Sequence, residues 1–208
     1  MKKSVGIIDC GINNISSLQK AFNKIEVDAE VLKDPKKLKS FSHLVLPGVG
    51  SFDKGMSNLE EMGFIEEINT FAKKGHFILG ICLGMQLLFE KSKESSVNSS
   101  GLSLIKGKCE KLESNDNSKI RIPHIGWNSL KIKKNIQLLK DVKDNADFYF
   151  VHSYYAIPQN SDSIVAVCTH GIEFAAVVES NNILGVQFHP EKCLNNGLNI
   201  LKQFSLLS

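Results

Sequence analysis

The sequence has no apolar run near the roughly 20 residues that cross a bilayer, no internal repeat and no long low-complexity tract. Neither a membrane-spanning helix nor a repeat array is therefore expected. Charge of one sign is also missing. The 25 basic and 22 acidic residues are spread along the chain and leave a formal net charge of +3, which gives no strong field for nucleic acid or a membrane. Cysteine is sparse and odd in number, five residues at positions 10, 82, 109, 168 and 193 without paired spacing. That argues against a disulfide framework. With Met1-Lys2-Lys3 running directly into Val5-Gly6-Ile7-Ile8, these absences predict a cytoplasmic protein that acts on a small molecule.

What is present fits one globular domain over residues 1–208, with 42% hydrophobic and 23% charged residues. The first half has a βαβ rhythm. A strand at Val5 to Ile8 precedes a helix carrying Ile15, Leu18, Phe22 and Ile25, and a strand follows around Val27 to Leu32. His43 to Leu46 reads as a strand ending at Pro47-Gly48, and Leu59, Phe64, Ile65, Ile68 and Phe71 give a single helical spacing after it. Phe77 to Ile81 is wholly apolar, as a parallel strand buried on both faces requires.

Beyond the polar stretch from Ser92 to Ser100 the pattern turns β-rich, near Leu102 to Leu112, Ile120 to Ile132, Asp147 to Tyr155, Ile164 to Thr169 and Phe174 to Glu179. Turn signals lie at Glu113 to Ser118 and at His170-Gly171. A last strand, Ile183 to Phe188, leads to a helix with Leu198, Ile200, Leu201 and Phe204. The expectation is an α/β fold whose mostly parallel sheet has helices on both faces and a mixed or antiparallel β extension.

Gly80-Ile81-Cys82-Leu83-Gly84 stands between the buried strand and a helix beginning Met85-Gln86-Leu87-Leu88. This is the layout of a nucleophile elbow with cysteine as the nucleophile. The glycines leave room where a side chain would strike neighbouring backbone, and the thiol faces the positive end of the helix dipole, which favours thiolate. A small buried cysteine with no chemistry is the alternative reading, and for the other four cysteines it is the preferred one.

His189-Pro190-Glu191 follows the last strand. Proline keeps His189 extended, so Glu191, two positions on, comes to the same side and can hold the imidazole as base. A surface loop, or a metal site using Cys193, are the rival readings, but no further ligands stand at metal-site spacing. An oxyanion needs preorganised N–H donors; Leu83 offers one, and Pro47-Gly48-Val49-Gly50 is a loop whose backbone can approach a substrate.

Taken together, Pro47-Gly48-Val49-Gly50-Ser51-Phe52, Gly80 to Gln86 and Gly185 to Lys192 resemble, in order, the motifs of the class I glutamine amidotransferases, whose fold is flavodoxin-like. Pro123-His124-Ile125-Gly126-Trp127-Asn128 and Tyr149-Phe150-Val151-His152-Ser153-Tyr154 resemble the branch of that family whose glutaminase subunit serves histidine biosynthesis. The resemblance runs from near residue 5 to the final helix.

It implies a glutaminase that needs no cofactor or metal, with Cys82 forming a glutamyl thioester, His189 moving protons and Glu191 holding the histidine. Gly48, Val49, Gly50 and Leu83 would form the oxyanion hole, completed by rearrangement when a partner is engaged. Gly48, Gln86, Ser153 and Tyr154 would bind L-glutamine. The ammonia would pass to a separate (β/α)8 cyclase subunit in a heterodimer, met by Asn13, Asn14, Trp127 and Lys192, since the chain ends too soon after Glu191 for a synthase domain of its own. Two departures lie at Cys10-Gly11-Ile12, where tyrosine and a further glycine are usual, and at Cys193, where serine is usual. They leave open a paralogue that supplies ammonia for amidination of surface sugars. A non-catalytic binding module and a free-standing cysteine peptidase or γ-glutamyl hydrolase are the remaining alternatives.

Overall fold

The computed structural model describes residues 4–11, 15–95, 100–113 and 120–208. Asn13 and Asn14, most of the turn at Glu113 to Ser118 and part of the stretch from Ser92 to Ser100 lie outside them.

Five short strands lie parallel, β2 (Ala29–Leu32), β1 (Val5–Ile8), β3 (His43–Gly48), β4 (Phe77–Cys82) and β13 (Ile183–Val186), side by side in that order; the inner four are largely apolar and buried, whereas β2 at the edge exposes Glu30. The sheet then continues antiparallel through β12 (Ile172–Ser180), β11 (Ile164–His170) and β8 (Lys131–Ile132). Gly171, at φ 72°, makes the turn between β11 and β12.

Alternation along the parallel strands divides the core in two. Val45, Leu79 and Ile81 point into one cluster with Phe22 of α1 (Ile15–Lys24) and Phe204 of α5 (Leu194–Ser205). Leu44, Leu46 and Ile78 point into the other, with Phe52 and Leu59 of α2 (Phe52–Glu61), Phe64 and Ile68 of α3 (Phe64–Lys73), and Met85 of α4 (Leu83–Leu87).

Some boundaries differ from those the sequence predicts. The helical spacing from Leu59 to Phe71 belongs to two helices, because Gly63 takes a left-handed conformation at φ 73° and turns the chain between α2 and α3. The helix after Cys82 starts at once with Leu83 and lasts five residues. It ends because the segment that reads as a strand from Leu102 is bound instead to its C-terminal carbonyls: Leu102 N–H donates to Leu87 O, and Leu104 N–H to Leu88 O.

The β extension is also split. While β8, β11 and β12 join the main sheet, β7 (His124–Ser129) pairs antiparallel with β9 (Asp147–His152), and β10 (Tyr154–Pro158) pairs with β6 (Gly107–Lys111), which pairs in turn with β5 (Lys91–Ser92). The last parallel strand stops at Val186, but Gln187 N–H still bonds Ala176 O and carries the chain on toward His189.

Candidate active site

The carboxyl ends of adjacent parallel strands form a crevice, the usual ligand position in open α/β sheets, and β3, β4 and β13 converge there. Gly48 is in register with Cys82, and Ile81 with Val186. Cys82 sits at φ 54°, ψ −110°, a strained backbone for a residue with a side chain. Its neighbours explain why that strain persists. A Cβ at Gly80 would lie 2.7 Å from the Gly84 carbonyl oxygen and from Met85 backbone, and one at Gly84 would lie 1.8 Å from Leu46 O. The elbow can be built only with these glycines.

Behind the cysteine, His189 Nδ1–H donates to Glu191 Oε1 at 2.8 Å, both side chains being buried. His189 is extended at φ −100°, ψ 94°, as the proline after it implied, and Pro190–Lys192 then form a short 3₁₀ turn that folds the carboxylate back beside the ring. With Nδ1 occupied, Nε2 is the nitrogen left for the sulfur. It lies near enough to Cys82 to share charge, yet meets the geometry of no hydrogen bond among the described residues. Burial pushes the imidazolium down, but the nearby Cys82 sulfur and the Glu191 carboxylate outweigh it and raise its pKa to about 10. When the sulfur is ionised, the histidine therefore keeps its second proton.

The sulfur has further contacts. Gln187 Nε2 lies 3.8 Å from Sγ, and Sγ lies 3.7 Å from Val151 O. Gln187 Oε1 accepts from Gln86 Nε2 at 3.2 Å, and Gln86 Nε2 also donates to Tyr154 O at 2.8 Å. Cys193, the other sulfur near the histidine, is fully engaged: it accepts from Tyr149 N–H at 3.1 Å and donates to His189 O at 2.9 Å, and burial pushes its pKa up to about 12. Among the described residues, no group of His, Cys, Asp or Glu side chains is placed to hold a metal ion.

A cavity of about 300 Å³ opens over Cys82 and brings together Val49, Gly50, Leu83, Gln86, Ser153 and Tyr154. Gly48 lies just behind its wall, packed on Leu83 and Gly84. Trp127 and Lys192 stand elsewhere, on an outer face where both flank Tyr149: the Trp127 ring meets it edge-on at 5.9 Å and Lys192 Nζ lies 5.3 Å from its centroid. Trp127 and Ile125 are more than half exposed there.

The sequence reading missed Glu94 and Gln187. Among the described residues, Glu94 is the only acidic side chain on the cavity wall. Its Oε2 accepts from Phe52 N–H at 2.8 Å at the start of α2, and burial raises its pKa. Gln187 carried a signal, a polar residue inside the apolar run Val186-Gln187-Phe188.

An elbow cysteine, a carboxylate-held histidine and a small cavity over the sulfur can together perform acyl transfer from an amide. Residues 6–206 match the family model described as glutamine amidotransferase class-I. The chain is a class I glutamine amidotransferase. Within that family it is 46% identical over 200 residues to an imidazole glycerol phosphate synthase subunit HisH of Caldanaerobacter subterraneus, covering 96% of each chain. It is 40% identical to the Bacillus subtilis protein of the same name, covering 98% of this chain and 96% of the other. Two solved structures share its fold: a glutamine amidotransferase, with a TM-score of 0.74, 16% identity and 96% of both chains covered, and PurLQS of Thermotoga maritima, at 0.72, 19% and 98% of both. Like the amidotransferases it resembles, the chain combines a large, mostly parallel sheet with added antiparallel strands.

Proposed function

We propose that this amidotransferase is the glutaminase subunit of imidazole glycerol phosphate synthase, hydrolysing L-glutamine and passing the ammonia to a cyclase subunit. The observation that carries the chemistry is the 2.8 Å His189–Glu191 pair set behind a cysteine held at φ 54°. The pathway rests on relatives that bear this name over nearly their whole length.

In this reading Cys82 Sγ attacks the carboxamide carbon, and the oxyanion is received by Leu83 N–H and by amides of Gly48, Val49 and Gly50. His189 Nε2 gives its proton to the departing ammonia, leaving a thioester. It then takes a proton from water, which attacks the thioester and releases glutamate and the free sulfur. Glu191 keeps the ring oriented and stabilises its charged form. Gln86, Glu94 and the backbone at Ser153 and Tyr154 hold the amino-acid end, the Glu94 carboxylate matching the substrate ammonium. Gly50, at φ 105° with no heavy atom within 4 Å of its Cβ position, gives the loop freedom to turn an amide toward the oxyanion when a partner docks.

The partner is a (β/α)8 cyclase in a heterodimer, seated on the Trp127 and Lys192 face; Asn13 and Asn14, assigned to the partner by resemblance, lie outside the described residues. No helix among the described residues is long and apolar enough to cross a membrane, and a cytoplasmic setting suits a soluble partner and substrate. The test is glutamate release by the purified chain, alone and with a histidine-pathway cyclase plus its nucleotide ligand. Stimulation of about 10²-fold or more is expected, the scale of supplying an oxyanion donor. Stimulation only by a sugar-modifying partner would move the chain to the paralogous branch.

A further inference from the structure

His124 and His152 are both buried and both outside the triad, and their hydrogen bonds determine where every proton lies. At one end, Asn128 Oδ1 accepts from Ser129 N–H at 2.9 Å and Asn128 Nδ2 donates to Thr169 O at 2.9 Å, which fixes the amide's orientation. The second hydrogen of that nitrogen faces His124 Nε2 at 3.3 Å, so Nε2 accepts. At the other end, His152 Nδ1 lies 2.9 Å from Tyr154 O, and a carbonyl can only accept. Between the rings, His124 Nδ1 and His152 Nε2 are 3.0 Å apart. One proton fits there: it must sit on His124 Nδ1, because His124 Nε2 is already the acceptor. The chain runs one way, from Asn128 through His124 and His152 to Tyr154 O.

Both rings are neutral in this arrangement, and the surroundings favour that. Burial lowers the pKa of His124 to about 4 and that of His152 to about 3, and the neighbouring His170 and His189 act in the same direction, outweighing the Tyr154 carbonyl. His170 also covers His124, stacked at 4.1 Å.

The chain ends where the substrate would lie. His152 closes β9 and Tyr154 opens β10, strands that belong to different sheets, and the backbone bends between them at Ser153 on the cavity wall. Leu112 N–H holds Ser153 O, while His152 and Gln86 together fill the two acceptor positions of Tyr154 O. We propose that Asn128, His124 and His152 are positioning residues that lock the Ser153 bend in the shape that binds the amino-acid end of glutamine. They act through the backbone and touch no reacting atom. This role rests on the glutaminase reading, and the experiment below separates the two.

Long-range ¹H–¹⁵N spectra of the full chain at neutral pH report the tautomers. The expected result is a proton on Nδ1 of both His124 and His152; a proton on Nε2 of either overturns the proposal, whatever the kinetics. With the cyclase partner present, His124→Leu should raise KM for glutamine roughly tenfold, the worth of one well-placed hydrogen bond, with kcat within about twofold. His124→Asn, which places an amide N–H near the former Nδ1, should keep KM within about threefold of the parent. An unchanged KM in His124→Leu, a loss confined to kcat, or equal damage in the two variants overturns the role. If His124→Leu does not fold, the parent tautomers and His124→Asn still decide. A parent chain with the expected tautomers but no glutamine turnover with any partner would overturn the glutaminase reading and the substrate-positioning role with it, leaving only the bond pattern.

Discussion

Two glycine-bearing segments meet at Cys82, the proposed nucleophile, and they are constrained in opposite ways. Around Cys82 the backbone has a single course, because Gly80 and Gly84 press so closely on their neighbours that no Cβ fits. In the loop after β3, Gly50 has open space around it, and Val49 is 42% exposed. The nucleophile is thus fixed by packing, whereas the loop assigned to the oxyanion is held by little. Attack needs both parts. A site with its nucleophile built and its transition-state donors free to move is suited to being switched on by a partner rather than running continuously.

The sharpest way to break this comparison is to remove the fixed part's chemistry. Cys82→Ala should abolish glutamate release, by at least about 10³-fold in kcat, while thermal melting and binding to the cyclase stay unchanged. Residual turnover above a tenth of the parent's would remove Cys82 from the mechanism.

Glu191→Gln comes next, with kcat expected to fall on the order of 10²-fold. It also has a pH signature. The carboxylate helps raise His189 to about 10, so its loss lowers that pKa and moves the alkaline limb of kcat/KM toward neutral pH. The sign for stability agrees: a raised histidine contributes fully below its unfolded value and loses its contribution as pH rises through about 10. An alkaline limb that does not move in the variant would mean that another group titrates there.

The two glycine segments can be compared directly through Gly84→Ala and Gly50→Ala. The first must shift backbone at Leu46 and should cost about 3 kcal/mol or more in denaturant unfolding. The second meets only the strain of φ 105° and should cost about 1 kcal/mol, with its main effect on partner-stimulated rather than basal turnover. Equal costs would dissolve the contrast between a packed elbow and a free loop.

How much of this the sequence discloses follows from how local each feature is. The elbow, the His189–Glu191 pair and the parallel strands are legible because their partners lie within a few residues or repeat with a fixed period. Even so, the extended His189 that the proline implied is only half of what makes the pair, and the 3₁₀ turn that follows it supplies the rest. Gly63 gave a local signal that the helical spacing around it obscured. Glu94 is different in kind: it reaches the start of α2 across 42 positions, and Gln187 reaches Cys82 across 105. Nothing in either segment's own pattern encodes the element it will meet. The histidine chain is likewise invisible, because its three members sit in two motifs that a β-sheet pairing brings into register, His124 opposite His152.

Glu94 therefore deserves its own variant. Glu94→Gln keeps an acceptor for Phe52 N–H but removes the charge assigned to the substrate ammonium, so KM for glutamine should rise about tenfold with kcat little changed. A drop in kcat alone would place Glu94 with the loop rather than with the substrate.

The last effect lies on the acid side and concerns the fold rather than the reaction. His124 and His152 have pKa values lowered to about 4 and about 3, so between the unfolded value of 6.5 and these, the unfolded chain binds protons that the folded one refuses. Their contribution to stability is present above pH 6.5 and is lost as pH falls through the folded values. Each such ring contributes at most about 1.4 kcal/mol per pH unit to the slope. His124→Asn deletes one of them while keeping a donor to His152. Its stability should therefore fall less steeply than the parent's between pH 6 and 4 by about one proton's worth, measured by denaturant unfolding across that range. Parallel slopes would show that His124 takes up its proton in the folded chain as readily as in the unfolded one, which a ring committed to donating at Nδ1 and accepting at Nε2 has no room to do.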